Sequence, residues 1–220
     1  MSSDGTGLMA FWAEIEDSYI DRFRQWHNSE HIPERVSIPG FILGKRYLGH
    51  GTRGFYLMMY ETRDTAVLGS QAYLERLNAP SDWTKETLPH FRNPARNIYT
   101  RLADEGETDL FEAPYIYSVR FNAEAVPDGL ISQLVQTEGA GRISLYEIDS
   151  AISGIETSER AIYGGGPGEQ RYLLLVECSI AAGGTDSALR KALTDASEPW
   201  NDVFLDCFAI DYTLAKSRGA

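Results

Sequence analysis

The chain has 220 residues, of which 43% are hydrophobic, and it carries a formal net charge of −12 with a sequence pI near 4.8. This length predicts one large domain or two of roughly 100 to 110 residues, with a core that needs no disulfide or metal. The acidic balance argues against nucleic acid as a partner, because nucleic-acid binders concentrate Lys and Arg on one face.

Targeting signals and membrane spans are also not expected. The N-terminal segment MSSDGTGLMAFW lacks a basic region followed by a long apolar run, and no apolar stretch of the chain is long enough to cross a bilayer. We therefore expect a cytoplasmic protein without a membrane partner. In that compartment Cys178 and Cys207, both within strand-like runs, are expected to be buried and reduced.

The first half of the chain predicts the element order β-α-β-β-α-β. Ile20, Phe23 and Trp26 recur at helical spacing, whereas runs rich in β-branched and aromatic residues indicate strands. The predicted elements are a strand over 8–16, a helix from Ser18, a hairpin of strands over 41–49 and 55–60, a helix from Thr65 and a strand over 97–102. Residues 79–94 contain three prolines and are predicted to be irregular.

The second half repeats this order after an acidic linker at residues 103–112. Its predicted elements are strands over 115–121, 142–148, 171–180 and 207–214, with helices over 127–138 and 185–196. The order is that of the ferredoxin-like fold, whose open sheet face must be covered by another layer. We predict an α+β fold of two tandem ferredoxin-like repeats, 1–105 and 106–220, whose antiparallel sheets pack face to face as a pseudo-symmetric barrel, a pseudo-dimer within one chain.

Strand alternation predicts a pocket between the two sheets. In the first strand Met9, Phe11, Ala13 and Ile15 share one face, suited to a helix layer, whereas Trp12 lies on the other face. Aromatic and charged residues alternate on later strands and favour a ligand pocket lined by Trp12, Arg46, Tyr60 and Arg101. The alternative is that these charges lie in solvent at strand ends, because a register error of one residue inverts every face.

The segment WHNSEHIPER, from Trp26 to Arg35, concentrates titratable groups. His27, Glu30 and His31 have the H-x-x-E-H spacing of a zinc-hydrolase family. Pro33 removes a backbone donor and predicts that the helix ends or kinks there, so that His31 need not project beside His27. We therefore predict that no metal is bound and that His31 acts in proton transfer or, alternatively, only caps the helix.

Several motifs in the first half resemble EthD-like proteins of the dimeric alpha-beta barrel superfamily. They are W-x-x-x-E-H-x-P-E-R at 26–35, Pro39-Gly40-Phe41, Arg46-Tyr47 and NAPSDWTKETLPHFRNPAR at 78–96. The resemblance covers about Leu8 to Arg101 and is only architectural beyond it. Relatives include cofactor-independent monooxygenases, polyketide cyclases, lactone isomerases and haem enzymes, so the fold does not select one reaction.

Within this resemblance, His31 is expected to be a catalytic base tuned by Glu30, with Arg35 stabilising a carboxylate or enolate. Structural ion pairing is the alternative role of Arg35. Trp26 and His27 are expected to contact substrate, with Trp83 and His90 at the pocket rim. No cofactor is predicted, because all four histidines lie in the first half, whereas a haem ligand is expected in the second.

The predicted function is a cofactor-independent enzyme that acts on a small hydrophobic or aromatic carbonyl-containing metabolite by His-mediated proton transfer, of isomerase, cyclase or lyase type. Two alternatives stay open at this point. One is a cofactor-independent monooxygenase of an aromatic substrate, and the other is a non-catalytic protein that binds a small molecule. A homodimer is possible in each case.

Overall fold

Eight antiparallel strands close into a barrel in the computed structural model, which describes residues 5–108, 113–179 and 188–216. The closed order is β1-β3-β2-β8-β5-β7-β6-β4. The strands are β1 Gly7–Ile15, β2 Phe41–Gly49, β3 Phe55–Thr62, β4 Phe91–Glu105, β5 Tyr115–Asn122, β6 Ala140–Ile148, β7 Tyr172–Cys178 and β8 Asn201–Ala215. Helices cover the outside of the barrel, which makes the protein an α+β fold.

The two halves of the chain join edge to edge. The strand order reads β4-β1-β3-β2 in the first half and β8-β5-β7-β6 in the second, and the pairs β2·β8 and β4·β6 close the barrel. The predicted barrel-type packing of the two sheets is confirmed, and hydrogen bonds between their edge strands close the barrel. Strands β4 and β8 each have 15 residues and extend beyond their own sheets. They form backbone hydrogen bonds with the edge strands β6 and β2 of the other half, which would otherwise be unpaired.

The first half carries four short α-helices where two longer helices were predicted. They are α1 Ile20–Trp26, α2 Ile32–Ser37, α3 Gln71–Asn78 and α4 Asp82–Thr87. The helix predicted from Thr65 begins as a 3-10 turn, Thr65–Gly69, and restarts as α3 at Ser70, whose hydroxyl accepts the Tyr73 N–H. The segment predicted to be irregular contains α4, because the Ser81 side chain caps it by accepting the Thr84 N–H at 3.0 Å.

The second half carries α5 Leu130–Leu134, α6 Ser150–Ser153, α7 Ser158–Tyr163 and α8 Ala188–Ser197. Helix α5 is shorter than predicted, and α6 and α7 were not predicted. Both lie in the connection from β6 to β7, which corresponds to the tight β2–β3 hairpin of the first half. They pack onto that half: the Ile98 N–H donates to Ser153 Oγ at 2.8 Å and the Ser158 N–H to Asn78 Oδ1 at 2.9 Å.

The barrel interior is filled with side chains. Leu8, Ala10 and Trp12 point inward, where they pack with Tyr47, Tyr99, Tyr146 and Phe208, and Met9, Phe11, Ala13 and Ile15 pack beneath the helices. The predicted alternation of β1 is thus correct, but among the described residues large aromatic side chains occupy the space between the sheets where a pocket was predicted. Trp12 itself donates from Nε1 to Ser118 Oγ at 3.2 Å and lies under the Arg120 guanidinium.

Two further expectations are tested by the described residues. Cys178 is buried as predicted, whereas Cys207 is partly exposed. Among the helices of the described ranges, none combines the length and the apolar character needed to cross a membrane.

Candidate functional site

A cavity lies outside the barrel, between the first sheet and its helices. About 450 Å³ of non-atomic space lies among its lining residues, including space open to solvent, but only about 20 Å³ admits the centre of a water molecule. The apolar part of the lining is Met9, Phe11, Met58, Leu77, Leu88 and Phe91. The remaining residues are Trp26, His27, His31, Arg35, Tyr60, Tyr73, Arg96, Thr157, Glu159 and Tyr163.

A π-helical turn, His27–His31, brings both histidines of the H-x-x-E-H segment to this cavity. The Ile32 N–H donates to the His27 carbonyl five residues back, and the chain then continues into α2 with Pro33 in its first turn. The wider turn accommodates the missing proline donor without breaking the helix. The prediction that the helix ends at Pro33 is therefore wrong, and the His27 and His31 rings stack with centroids 5.6 Å apart.

His27 is fixed by hydrogen bonds at both ring nitrogens. Arg46 donates from Nη1 to Nδ1 at 3.1 Å, so Nδ1 is an acceptor and the proton of the neutral ring is on Nε2. This Nε2–H lies 3.4 Å from the Tyr60 hydroxyl oxygen and donates to it. Burial, followed by the charges of Arg46 and Arg35, holds the pKa of His27 well below 6.5. Tyr60 consequently keeps its own hydroxyl proton for a ligand.

Arg46 reaches His27 from β2 and is itself held from the second half. Its Nε and Nη2 donate to Asp211 Oδ2 on β8 at 2.7 and 2.6 Å, and its side chain is 1% exposed. Because β2 pairs with β8, the carboxylate arrives beside the arginine through barrel closure. Arg46 was predicted to contact substrate, but it is not among the cavity-lining residues and instead positions His27.

His31 has no hydrogen-bond partner for Nδ1 among the described residues, although that atom is buried. Its ring packs against Trp26 at a centroid distance of 4.3 Å and lines the cavity. Burial, then the charges of Arg35 and His27, hold the pKa of His31 well below 6.5. The imidazole is therefore neutral at pH 7 and has an uncommitted nitrogen, which is unusual for a buried polar group.

Arg35 lies at the cavity with its charge already compensated. Its side chain is 1% exposed, and it donates to Glu34 at 2.8 Å and to Glu159 of α7. Although burial opposes the charged form, the Glu159 carboxylate raises the pKa of Arg35 above its usual range. Burial in turn raises the pKa of Glu159, against the effect of Arg35. The ion pair is the alternative that the sequence left open for Arg35.

The other predicted site residues lie away from the cavity. Glu30 accepts from Ser81 and Thr84 at the start of α4, Trp83 lies under the Arg22 guanidinium, and His90 stacks on Tyr19 and contacts Glu16 at 2.5 Å. Trp12 fills the barrel, and Arg101 on β4 pairs with Asp104 at 3.6 Å. These residues form packing and surface contacts, because the cavity lies beneath the helices and not between the sheets.

Sequence reasoning missed Tyr73, Arg96, Glu159, Tyr163 and Asp211. Arg96 is the last residue of the motif at 78–96, and Tyr73 belongs to the apolar stripe of α3, so both carried a local signal. Glu159, Tyr163 and Asp211 come from the second half, which has no recognisable site motif. Only the fold brings them to the first half.

Comparisons with known proteins give the fold. No family model and no curated protein matches the chain. An anthrone oxidase-like protein of known structure shares 9% identity over 98% of this chain and 95% of its own, with a TM-score of 0.60. A presumed monooxygenase of Fusobacterium nucleatum shares 8% identity over 96% and 95%, with a TM-score of 0.58. The fold is of the dimeric alpha-beta barrel type.

A haem-binding protein of Thermus thermophilus also shares this fold, with 7% identity over 94% of this chain and 91% of its own and a TM-score of 0.51. Of the two histidines at the cavity, His27 has both ring nitrogens engaged in hydrogen bonds and has none left for haem iron. The cavity as observed is also far smaller than a macrocycle. Across the described ranges, no group of three or more His, Cys, Asp or Glu side chains is arranged to hold a metal ion.

Proposed function

We propose that the protein is a cofactor-independent enzyme in which His31 removes a proton from a carbon next to the carbonyl of a small aromatic substrate. The observation that carries the proposal is the neutral imidazole of His31, buried at the cavity with Nδ1 unpaired among the described residues. A buried imidazole without a structural hydrogen bond is available for proton transfer.

The residues around His31 suit this step. As the C–H bond breaks, its electron pair moves into the carbonyl to form an enolate, and the proton passes to the ring nitrogen of His31. The Tyr60 hydroxyl, held by His27 Nε2–H at 3.4 Å, donates to the developing oxyanion. Return of the proton to a different atom gives an isomer, and attack of the enolate on a second carbonyl gives a cyclised product.

Oxygenation is the second candidate, and the anthrone oxidase-like and monooxygenase-named fold neighbours favour it. It begins with the same proton removal. The carbanion then reacts with dioxygen, so that a CH₂ group and O₂ give a carbonyl group and water. Oxygen consumption that matches product formation distinguishes this reaction from isomerisation or cyclisation.

We also propose that the chain is related to EthD-like proteins and that it arose by tandem duplication. The EthD-like motif is supported by Trp26, His31 and Arg35 lining one cavity, and a tandem duplication with bounds 1–105 and 106–220 is supported by the matching strand orders of the two halves. The homodimer and the cytoplasmic location stay predictions.

The His31→Gln variant tests the proposed function on a panel of aryl ketones. We expect turnover to fall by about 10² to 10⁴ while ligand affinity stays within a few-fold, because glutamine retains hydrogen bonding but not basicity. His50→Gln is the matched control, since His50 is exposed next to the β2–β3 turn. Undiminished turnover in His31→Gln would mean that another group is the base, and ligand binding without turnover by the wild type would favour a binding protein.

A further inference from the structure

Arg96 lines the cavity without a carboxylate at ion-pair distance among the described residues. His27 and His31 are neutral, because burial holds both pKa values well below 6.5. Two arginines, Arg35 and Arg96, line the cavity together with the single carboxylate of Glu159. Glu159 and Glu34 are both committed to Arg35. The two carboxylates equal the two arginines in number, but both contact Arg35, and Glu159 acts on Arg96 only at longer range.

Arg96 has only neutral partners at hydrogen-bonding distance. Its Nη2 donates to the Tyr73 hydroxyl at 3.1 Å, and its backbone N–H donates to the Gly166 carbonyl at 3.3 Å. Within the described ranges, no carboxylate lies at ion-pair distance from its guanidinium, and, against the effect of burial, Glu159 raises the pKa of Arg96 only through a longer-range interaction. A guanidinium carries five N–H donors in a planar fork, so most of its donors remain available for a ligand.

The position of Arg96 in the fold explains this. Residue 96 lies on β4 opposite Phe11 of β1, on the face covered by helices, and its guanidinium lies 6.0 Å from the centroid of the Tyr73 ring. Tyr73 of α3 therefore contacts both arginines of the cavity, since the Arg35 guanidinium is 5.8 Å from the same ring. The hydroxyl and ring of Tyr73 hold Arg96 in place without neutralising it.

We propose that Arg96 binds the carboxylate of an aromatic carboxylic acid, so that the substrate class of the site is aryl acids that also bear a carbonyl group. This inference rests on the proposed function for the carbonyl, but the carboxylate contact is independent of it. A planar guanidinium can donate two parallel hydrogen bonds to the two oxygens of one carboxylate. Phe11, Phe91 and Tyr163 supply the apolar surface for the ring.

A matched pair of small ligands tests the charge requirement. Phenylacetate and phenylacetamide have nearly the same shape and differ in charge, so calorimetric titration of the full chain with each isolates the carboxylate. We expect phenylacetate to bind at least tenfold more tightly than phenylacetamide. Equal affinities, or no binding of phenylacetate at millimolar concentration, would overturn the proposal.

Variants assign the effect to Arg96. Arg96→Gln should lose at least tenfold in phenylacetate affinity and leave phenylacetamide unchanged, and Arg96→Lys should retain part of the preference. Arg53→Gln, at a position 77% exposed in the β2–β3 turn, makes the same change in net charge and should have no effect. A phenylacetate affinity that survives in Arg96→Gln would overturn the assignment.

The variant His31→Gln separates this inference from the proposed function. If His31→Gln still binds phenylacetate and still turns over aryl keto acids, the base assignment fails and the carboxylate contact stands. If Arg96→Gln loses no affinity whereas His31→Gln loses turnover, the opposite conclusion holds.

Discussion

Asp211 connects the second half of the chain to the candidate site through one carboxylate. It accepts from Arg46 at 2.6 Å and also contacts Arg24, and its side chain is only 10% exposed. Arg46 in turn fixes the tautomer of His27, which orients Tyr60. Asp211 therefore acts on the Tyr60 hydroxyl indirectly, through Arg46 and His27.

Loss of the Asp211 carboxylate should destabilise the protein. In Asp211→Ala the almost fully buried Arg46 loses its carboxylate, which we expect to lower the free energy of unfolding by about 3 kcal/mol. Asp17→Ala is the control, because Asp17 is 74% exposed and pairs with Arg53 at 3.8 Å, and it should change stability by less than about 0.5 kcal/mol. Urea denaturation measures the free energy of unfolding of both variants. Equal losses of stability would contradict the view that the buried ion pair contributes more than the exposed one.

The buried histidines predict a loss of stability in mild acid. Their folded pKa values are held below 6.5 by burial, so below pH 6.5 the unfolded chain binds protons that the folded chain does not. Stability then falls as pH decreases from 6.5 towards the folded pKa values, by about 1.4 kcal/mol per pH unit for each histidine. Denaturation between pH 7.5 and 5 should show a shallower slope in His31→Gln, and an unchanged slope would contradict the burial of a neutral ring.

At the scale of elements, α7 forms the part of the cavity wall that comes from the second half. It carries Glu159 and Tyr163, and Thr157 caps it by accepting the Arg160 N–H at 3.3 Å. The space of about 20 Å³ that admits water is too small for an aromatic ring, so part of the wall must move when a ligand enters. Helix α7 has only six residues and lies within the long connection between β6 and β7, so we expect it to be the part that moves.

Hydrogen exchange measures this movement. We expect the amides of Ser158–Tyr163 to exchange faster than those of β1 and β4 in the free protein, and to slow when phenylacetate is bound. Ligand-induced protection confined to α1 and α2, with no change in α7, would show that the ligand enters by another route.

Element type was predictable where the pattern was local, and less so where tertiary contacts decided it. The β1 alternation and the β2–β3 hairpin followed from period and turn residues. The π-helical turn did not, because a proline predicts a break unless the surrounding core holds the wider turn in place. Helix α4 was not predicted, because prolines stand before and after it and only a serine cap marks its start. Helices α6 and α7 have too few residues to show a helical period in the sequence.

For the whole molecule, closure of the barrel makes the halves interdependent. The pairs β2·β8 and β4·β6 join residues far apart in the chain, and the site draws Asp211 and Glu159 from the half that lacks the motif. The sequence predicted the α+β class and the antiparallel sheets. Of the residues predicted for the site, the structure places five at the cavity: Trp26, His27, His31, Arg35 and Tyr60. The sequence could not predict on which side of the sheet the cavity lies, because that depends on how tightly the barrel interior packs.

This interdependence predicts a single unfolding transition. Far-ultraviolet circular dichroism and tryptophan fluorescence should give the same denaturation midpoint for the full chain, and neither 1–105 nor 106–220 should fold alone, because each would expose two open sheet edges. Two separate transitions, or a stable isolated half, would show that the bounds mark independent domains.

The central claim is that His31 takes a proton from carbon, and solvent exchange measures that event directly. In D₂O, proton nuclear magnetic resonance follows replacement of the hydrogens next to the carbonyl of 2-indanone and phenylpyruvate. The wild type should exchange at least one of these compounds faster than buffer, and His31→Gln should fall to the buffer rate while it still binds phenylacetate. Exchange by His31→Gln at the wild-type rate would contradict the claim.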